Sequence, residues 1–464
     1  MTILLKGGRI FLGRKFVTAD VLLKGGSAFV FNEGAVPDDV SEVVDIFGKD
    51  ILPGFADVHV HFREPGFSYK ETIRTGALAA VAGGYTCVCP MPNVVPVPHD
   101  LDSLKSELDP ISKISFADII PYGAITKLQD GRSDLADMES MAPYVCAFSD
   151  DGRGIQTGPL MRDAMQLAKS LDKMIVAHCE DESLLVPGGC VHEGPFAEQA
   201  GLVGISSASE WRQVERDVNL CYETGCAYHV CHVSTKESVQ IIREAKQSGV
   251  NVTCETAPHY LALTQDDVAA YCTGGEPADS GRFKMNPPLR GKDDREALRE
   301  GVFDGTIDMI ATDHAPHSAE EKAQGLAKSP FGIVGLETAF PVLKTRLADE
   351  GLLSYERMIE CLTSAPRKRF GLPGAEILDH GSFRAVYSEN AGGGCEGNVG
   401  YEKALRGDRM IFQDITVVDP DYEYVIDPDD FRSMGRATPF AGDTVRGKVV
   451  MTVHRGEIVY TDNH

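Results

Sequence analysis

The sequence predicts an α/β protein: a closed (β/α)8 barrel of the TIM type, with a small β-sandwich built from both ends of the chain. Eight short apolar runs end in polar or small-residue tips and alternate with stretches of helical spacing. The chain has 464 residues, which suits a barrel of ~250 residues plus a satellite better than one ordinary core. Residues 1–52 and the last part of the chain share a different texture, short alternating strands with glycine turns.

The N-terminal part of the satellite is read from "TILLKGGRIFLG" and "ADVLLKGGSAFVF". The barrel, residues 53–370, then follows as the runs "ADVHVHF", "YTCVCPMPN", "IIPYGAIT", "YVCAFSDD", "MIVAHCE", "AYHVCHVS", "NVTCETAPHY" and "DMIATDHAPH". Between the runs, "KETIRTGALAAVAGG" reads as a helix stopped by a glycine pair, and "GPLMRDAMQLAKSLD" as one with apolar residues three to four apart. An open doubly wound sheet fits less well, because no glycine-rich phosphate loop follows the first run and polar tips recur on many strands. Residues 371–464 return to the satellite through "RGKVVMTVHRGEIVY", after a glycine-rich insertion near 380–412.

Composition narrows the function. With 43% hydrophobic and 25% charged residues the chain is globular. Its net charge of -24, without a basic cluster, argues against nucleic-acid binding. An anionic substrate would therefore need a local device such as Arg63 or bound cations. "TILLKGGRIFLGRKF" after Met1 lacks the features of a secretory signal, and no run approaches the ~20 apolar residues of a membrane span, so a soluble cytoplasmic protein is expected. The twelve cysteines are read as thiols, Cys87 and Cys89 as small buried hydrophobes.

In "ADVHVHFREPG", the period of two places His59, His61 and Arg63 on one face of a strand, so that the three polar groups converge on one spot. A barrel gathers its active site at the carboxyl ends of its strands. There the other runs carry Asn93, Asp150 or Asp151, His178, His229 or His232, and Asp313. Taken singly, His178 and His232 would serve as backbone-bonded buried histidines as readily as ligands. Together, imidazoles and carboxylates on five strand tips suit zinc or a similar divalent ion. Six groups exceed the ligands of one tetrahedral ion, and two ions sharing a carboxylate would use them all. His99, His192, His380, His454 and His464 lie off the strand tips and receive no role.

The words "DVHVHFREPG", "MPN", "FSDDG", "AHCED", "CHVST", "MNPPLR", "ATDHAPH", "FGIVGLET" and "ATPFAGDTVRGKVVMTVHRG" resemble the dihydroorotases of the amidohydrolase superfamily, in order from about residue 1 to 379 and again from about 415 onward. The resemblance implies two zinc ions. One would be held by His59, His61, Asp151 and Asp313, the other by Asp151, His178 and His232. "YVCAFSDDG" offers no lysine, so the chain is similar to the class I type that bridges its metals with aspartate. The resemblance also implies that Arg63, Asn93 and His317 hold the substrate carboxylate, that Asn286 and the backbone at Phe331 and Gly332 contact the ring, and that Asp313 acts as the catalytic base and acid. Without the resemblance, Asn93 and Asn286 would read as proline-flanked turn residues.

The implied reaction is reversible closure of N-carbamoyl-L-aspartate to L-dihydroorotate in pyrimidine synthesis. A dihydropyrimidinase, hydantoinase or allantoinase is the neighbouring alternative; those usually carry a lysine bridge and lack the arginine, asparagine and histidine trio. An inactive dihydroorotase-like scaffold for aspartate transcarbamoylase is another, and would be expected to lose ligands. A homodimer is the base-rate expectation for assembly, and association with a transcarbamoylase is a partner the resemblance raises. Val94 and Val95 stand where relatives commonly carry threonine after the asparagine, and the 380–412 stretch has no recognised counterpart.

Overall fold

The computed structural model describes residues 2–13, 15–31, 40–374, 409–411 and 414–462. The glycine-rich insertion expected near 380–412 lies outside the described residues, apart from the short strand Arg409–Ile411. Among the described residues no helix is long and apolar enough to cross a membrane, and the described cysteines are free thiols.

The predicted runs form parallel strands, each beside the next. Phe55–Val60 pairs with Tyr85–Pro90, and that strand with Asp118–Ile119. Gly123–Ala124 pairs with Phe148–Ser149, followed by Ile175–Ala177, Tyr228–Val230, Val252–Thr256 and Met309–Ile310. Beyond the last strand His314 forms a parallel bridge to Val60 and its carbonyl accepts from His61 N at 2.8 Å, so the final run returns to the first. Residues from strand runs one to six and eight, among them Val58, Cys89, Tyr122, Ala147, Val176, Cys231 and Met309, share one apolar cluster with Phe370 and Leu372.

Two runs are less regular than their sequences imply. "IIPYGAIT" is two short strands rather than one. The break falls at Pro121, which has no N–H to give a ladder, although its carbonyl still accepts from Cys146 N at 3.0 Å. The first strand ends at Val60, so period-two alternation covers His59 and does not reach Arg63. Arg63 has φ +60° and arrives by a left-handed turn. The expectation that one strand face presents all three residues is corrected on this point.

The helices begin and end where their local chemistry dictates. Thr72 caps Ile73–Ala82 by accepting from Thr75 N, and the helix stops at Gly83, followed by Gly84 at φ +89°. Thr157 caps Gly158–Ser170, with a proline in its first turn. Among the described residues, strands from both terminal regions meet in one sheet of nine strands, where Asp50–Pro53 joins Ile3–Phe11 to Ile415–Val425. Leu5, Ile10, Val21 and Ile51 pack there with Ile415, Val417, Met451 and Val453. The sheet is fastened to the first helix and its exit, where Thr452 Oγ1 donates to Val81 O at 2.7 Å and Thr416 Oγ1 to Gly84 O at 2.6 Å.

Phe55 opens the first strand and is fully buried, its ring 5.4 Å from Phe340 and 5.5 Å edge-on to Tyr85. Phe55→Ala removes both contacts and leaves a cavity in a close-packed core. It should cost about 3–5 kcal/mol in unfolding free energy, read from urea denaturation; a change below about 1 kcal/mol would mean that the site collapses to fill the space.

Candidate metal centre

The strand tips are shaped by side chains that replace backbone ladder bonds. Asp57, buried in the first run, accepts from His59 N at 2.9 Å and from Thr312 N at 3.1 Å. It thereby ties the first strand to the residue preceding Asp313, and burial raises its carboxyl to about 7. The described non-glycine residues with positive φ include Arg63, His232 at +31° and Asp313 at +50°. Left-handed backbone costs roughly 1–2 kcal/mol per residue, and here it falls on residues whose side chains share one site.

Asp151 lies at the centre. Its Oδ1 is 3.3 Å from His59 Nε2, 3.6 Å from His232 Nε2 and 3.8 Å from His178 Nδ1; its Oδ2 is 3.5 Å from His61 Nε2. Asp313 Oδ1 is 3.0 Å from His61 Nε2 and 3.5 Å from His59 Nε2, and His178 Nδ1 is 2.9 Å from His232 Nε2. Two three-residue groups result, His59–His61–Asp151 and Asp151–His178–His232, which share the aspartate. Burial opposes ionisation of Asp151, but His59, His232 and His61 hold its carboxyl well below the usual range.

The donor set fits divalent metal. Bonds of ~2.0–2.1 Å at tetrahedral angles separate donor atoms by about 3.3 Å, close to the spacings found here. His59 Nε2 and Asp151 Oδ1 are buried without a hydrogen-bond partner, a costly state for polar atoms unless a ligand completes them.

Behind the histidines sit groups that fix their orientation. Glu255 accepts from His59 Nδ1 at 2.7 Å and from His229 Nε2 at 2.9 Å, and His229 Nδ1 is 2.8 Å from Thr253 Oγ1. The proton of His59 is thus placed on Nδ1, leaving the Nε2 lone pair toward Asp151. Against the cost of burial, His229 and His59 lower Glu255 to about 2. His61 Nδ1 meets Asn93 Oδ1 at 2.9 Å. His178 Nε2 lies 3.5 Å from Glu180, whose other oxygen accepts from Asn286 Nδ2 at 3.1 Å.

This arrangement separates the pairs that spacing left open. Asp150 accepts from the backbone of Ile125 at 2.8 Å, Thr126 at 3.0 Å and Gly131 at 3.2 Å, and so holds a loop; Asp151 faces the histidines. His232 joins the group, whereas His229 lies behind Glu255. Asp57, Glu180 and Glu255 were missed by the sequence reading. Their signal was a lone carboxylate inside or at the end of an apolar run. His259 was also missed; it is buried, its Nε2 has no partner, and burial lowers its imidazole to about 4.

Arg63, His317, Phe331 and Gly332 gather beside the cage. Arg63 Nε donates to Pro316 O at 3.1 Å, with Nη2 3.3 Å from His317 Nε2. His317 donates from Nε2 to Phe331 O at 2.7 Å and accepts at Nδ1 from Lys70 Nζ at 3.1 Å. Burial, reinforced by Arg63 and Lys70, keeps it neutral, with its pKa lowered to about 2. Gly332 has φ +129°, and a Cβ there would lie 2.6 Å from Ala315 O, so no other residue fits this turn without displacement.

A family model described as dihydro-orotase-like matches residues 48–238. The chain is 45% identical over 462 residues to the dihydroorotase of Bacillus cereus strain AH820, covering 99% of this chain and 98% of that protein. The dihydroorotase of Bacillus anthracis strain A0248 matches to the same extent. Among solved structures, the L-hydantoinase (dihydropyrimidinase) of Arthrobacter aurescens superposes with a TM-score of 0.81 at 23% identity, covering 100% of this chain and 96% of that one. Dihydropyrimidinase from Brevibacillus agri NCHU1002 gives 0.79 at 20% identity, with the same coverage. At such identities the structures share the α/β fold alone, whereas the near full-length sequence matches are far closer. The chain belongs to the dihydroorotase family.

Proposed function

We propose that this protein is a dihydroorotase, interconverting N-carbamoyl-L-aspartate and L-dihydroorotate at a centre for two zinc ions. The parallel circuit is read as the (β/α)8 barrel that carries the centre, and the sheet of both termini as a satellite β domain. The observation that carries the proposal is Asp151, one buried carboxylate shared by two histidine groups whose inward-facing atoms include unpartnered donors. His59, His61, Asp151 and Asp313 would hold one cation, and Asp151, His178 and His232 the other. When bound, the cations supply a water of lowered pKa and Lewis-acid polarisation of the ring carbonyl.

The chain's own groups do the rest. In the hydrolytic direction Asp313 accepts the proton of the attacking water at a carboxylate oxygen and returns it to the ring nitrogen as the C–N bond breaks, a base and then an acid. Arg63 grips the substrate carboxylate with a two-pronged donor that lysine cannot copy. Asn93 shares that task, and its carboxamide oxygen is occupied by His61, leaving the NH2 to donate. His317 is fixed by Phe331 O and Lys70 beside Arg63. Asn286 and the Phe331–Gly332 backbone line the ring. Arg63 and Lys70 together place positive charge where an anion must enter a protein whose net charge is -24.

Asp313→Asn should retain most bound metal and lower kcat at least about a hundredfold, measured by dihydroorotate hydrolysis with parallel metal analysis; near-normal turnover would remove Asp313 from the proton path. Arg63→Lys should weaken dihydroorotate binding at least about tenfold while zinc content stays near two per chain. Turnover of dihydroorotate, dihydrouracil and allantoin compared side by side tests the substrate assignment, and preference for either neutral ring would overturn it.

A further inference from the structure

Lys322 is a buried lysine outside the residues given a role above. It ends the short helix Ala319–Lys322, which Ser318 caps, and only 4% of it is exposed. Its ammonium donates to three backbone carbonyls: Gly332 O at 2.7 Å, Pro330 O at 2.9 Å and Lys284 O at 3.1 Å. An ammonium has three donors and a neutral amine two, so this arrangement uses the charged form in full. Among the described residues no carboxylate pairs with it, since the adjacent Glu321 is taken up by Lys70 at 3.1 Å and by the Ser318 cap. Burial lowers its pKa to about 7, and Lys284 and Arg63 push the same way, so about half of it carries the charge at neutral pH and the charged share rises as pH falls. A buried charge without a counter-ion is expensive, and the segment it grips is the one facing the proposed carboxylate site.

That segment is held from both sides. Lys322 takes the carbonyls of Pro330 and Gly332, and His317 takes the one between them, that of Phe331. Gly332 N donates to Lys284 O at 3.0 Å. Lys284 Nζ sits 4.6 Å over the Phe331 ring and donates to Ala327 O at 3.1 Å. Lys322 thus holds two of the three carbonyls of the loop proposed to line the ring, and adds a cation to the side of the site where Arg63 and Lys70 stand.

Building on the dihydroorotase reading, we infer that Lys322 is a positioning and specificity residue: its ammonium fixes the 330–332 loop against His317, and its unneutralised charge favours a ring bearing a carboxylate over a neutral cyclic amide. It touches no reacting atom, so its effect belongs in substrate binding.

The test starts from wild-type hydrolysis of dihydroorotate; failure at that step overturns the dihydroorotase reading and the Lys322 inference with it, whereas failure at the later steps overturns the inference alone. Given wild-type turnover, Lys322→Met should raise KM for dihydroorotate at least about tenfold, with kcat within about threefold and metal content unchanged. Lys322→Ala should show the same rise and recover at least part of it when ethylammonium is added, but not with tetramethylammonium, which cannot donate. An unchanged KM in Lys322→Met overturns the inference. So does a joint loss of kcat, metal and melting temperature in both variants that ethylammonium leaves unrepaired, because that pattern marks a purely structural lysine.

Discussion

The site depends on one buried carboxylate that is ringed by four imidazoles and has one oxygen that no hydrogen bond satisfies. Asp151 contacts nitrogens of His59, His61, His178 and His232 at 3.3–3.8 Å. Desolvating a carboxylate costs several kcal/mol unless charge is returned to it. Here the return comes from strands that are far apart in sequence, so the carboxylate is stable only when the whole circuit is assembled around it. The donor atoms left without partners are where the proposed cation would complete the balance.

Around that centre a second layer of carboxylates does for the histidines what the histidines do for Asp151. Glu255 joins His59 to His229, Glu180 stands between His178 and Asn286, and Asp57 replaces the ladder bonds that would otherwise pull the first and last tips into regular strands. Each fixes a direction rather than a contact with substrate. The strained backbone at His232 and Asp313 is affordable because both residues are held at the tip of a strand whose other end is packed in the core.

Much of this could be read from sequence. Eight apolar runs with polar tips foretold the parallel circuit, and the motifs named the histidines and aspartates that gather around Asp151 and the His317, Phe331 and Gly332 group beside Arg63, but not Lys70, Glu180, Glu255 or His259. Spacing alone left Asp150 against Asp151 and His229 against His232 open, because neighbouring or near-neighbouring residues differ only in which way a short tip turns, and that is decided by distant backbone donors such as Ile125 N and by Glu255. The arrival of Arg63 by a left-handed turn, the break at Pro121 and the role of Asp57 were not visible for the same reason. Each depends on a partner in another run. Lone acids in apolar runs were the one overlooked local signal.

The seam closed by Asp57 has a temporal consequence. His61 and Asp313 meet across 252 residues of chain, and at ~5–20 residues per second a ribosome needs roughly 10–50 s to make that stretch. Until the end of that interval the emerging polypeptide displays a histidine pair without Asp313, the one carboxylate companion that the last strand run supplies. A nascent chain of this kind would hold a cation of the proposed centre only loosely, so tight capture would wait until the final segment docks, and loading of that centre would be a late event in the maturation of the molecule.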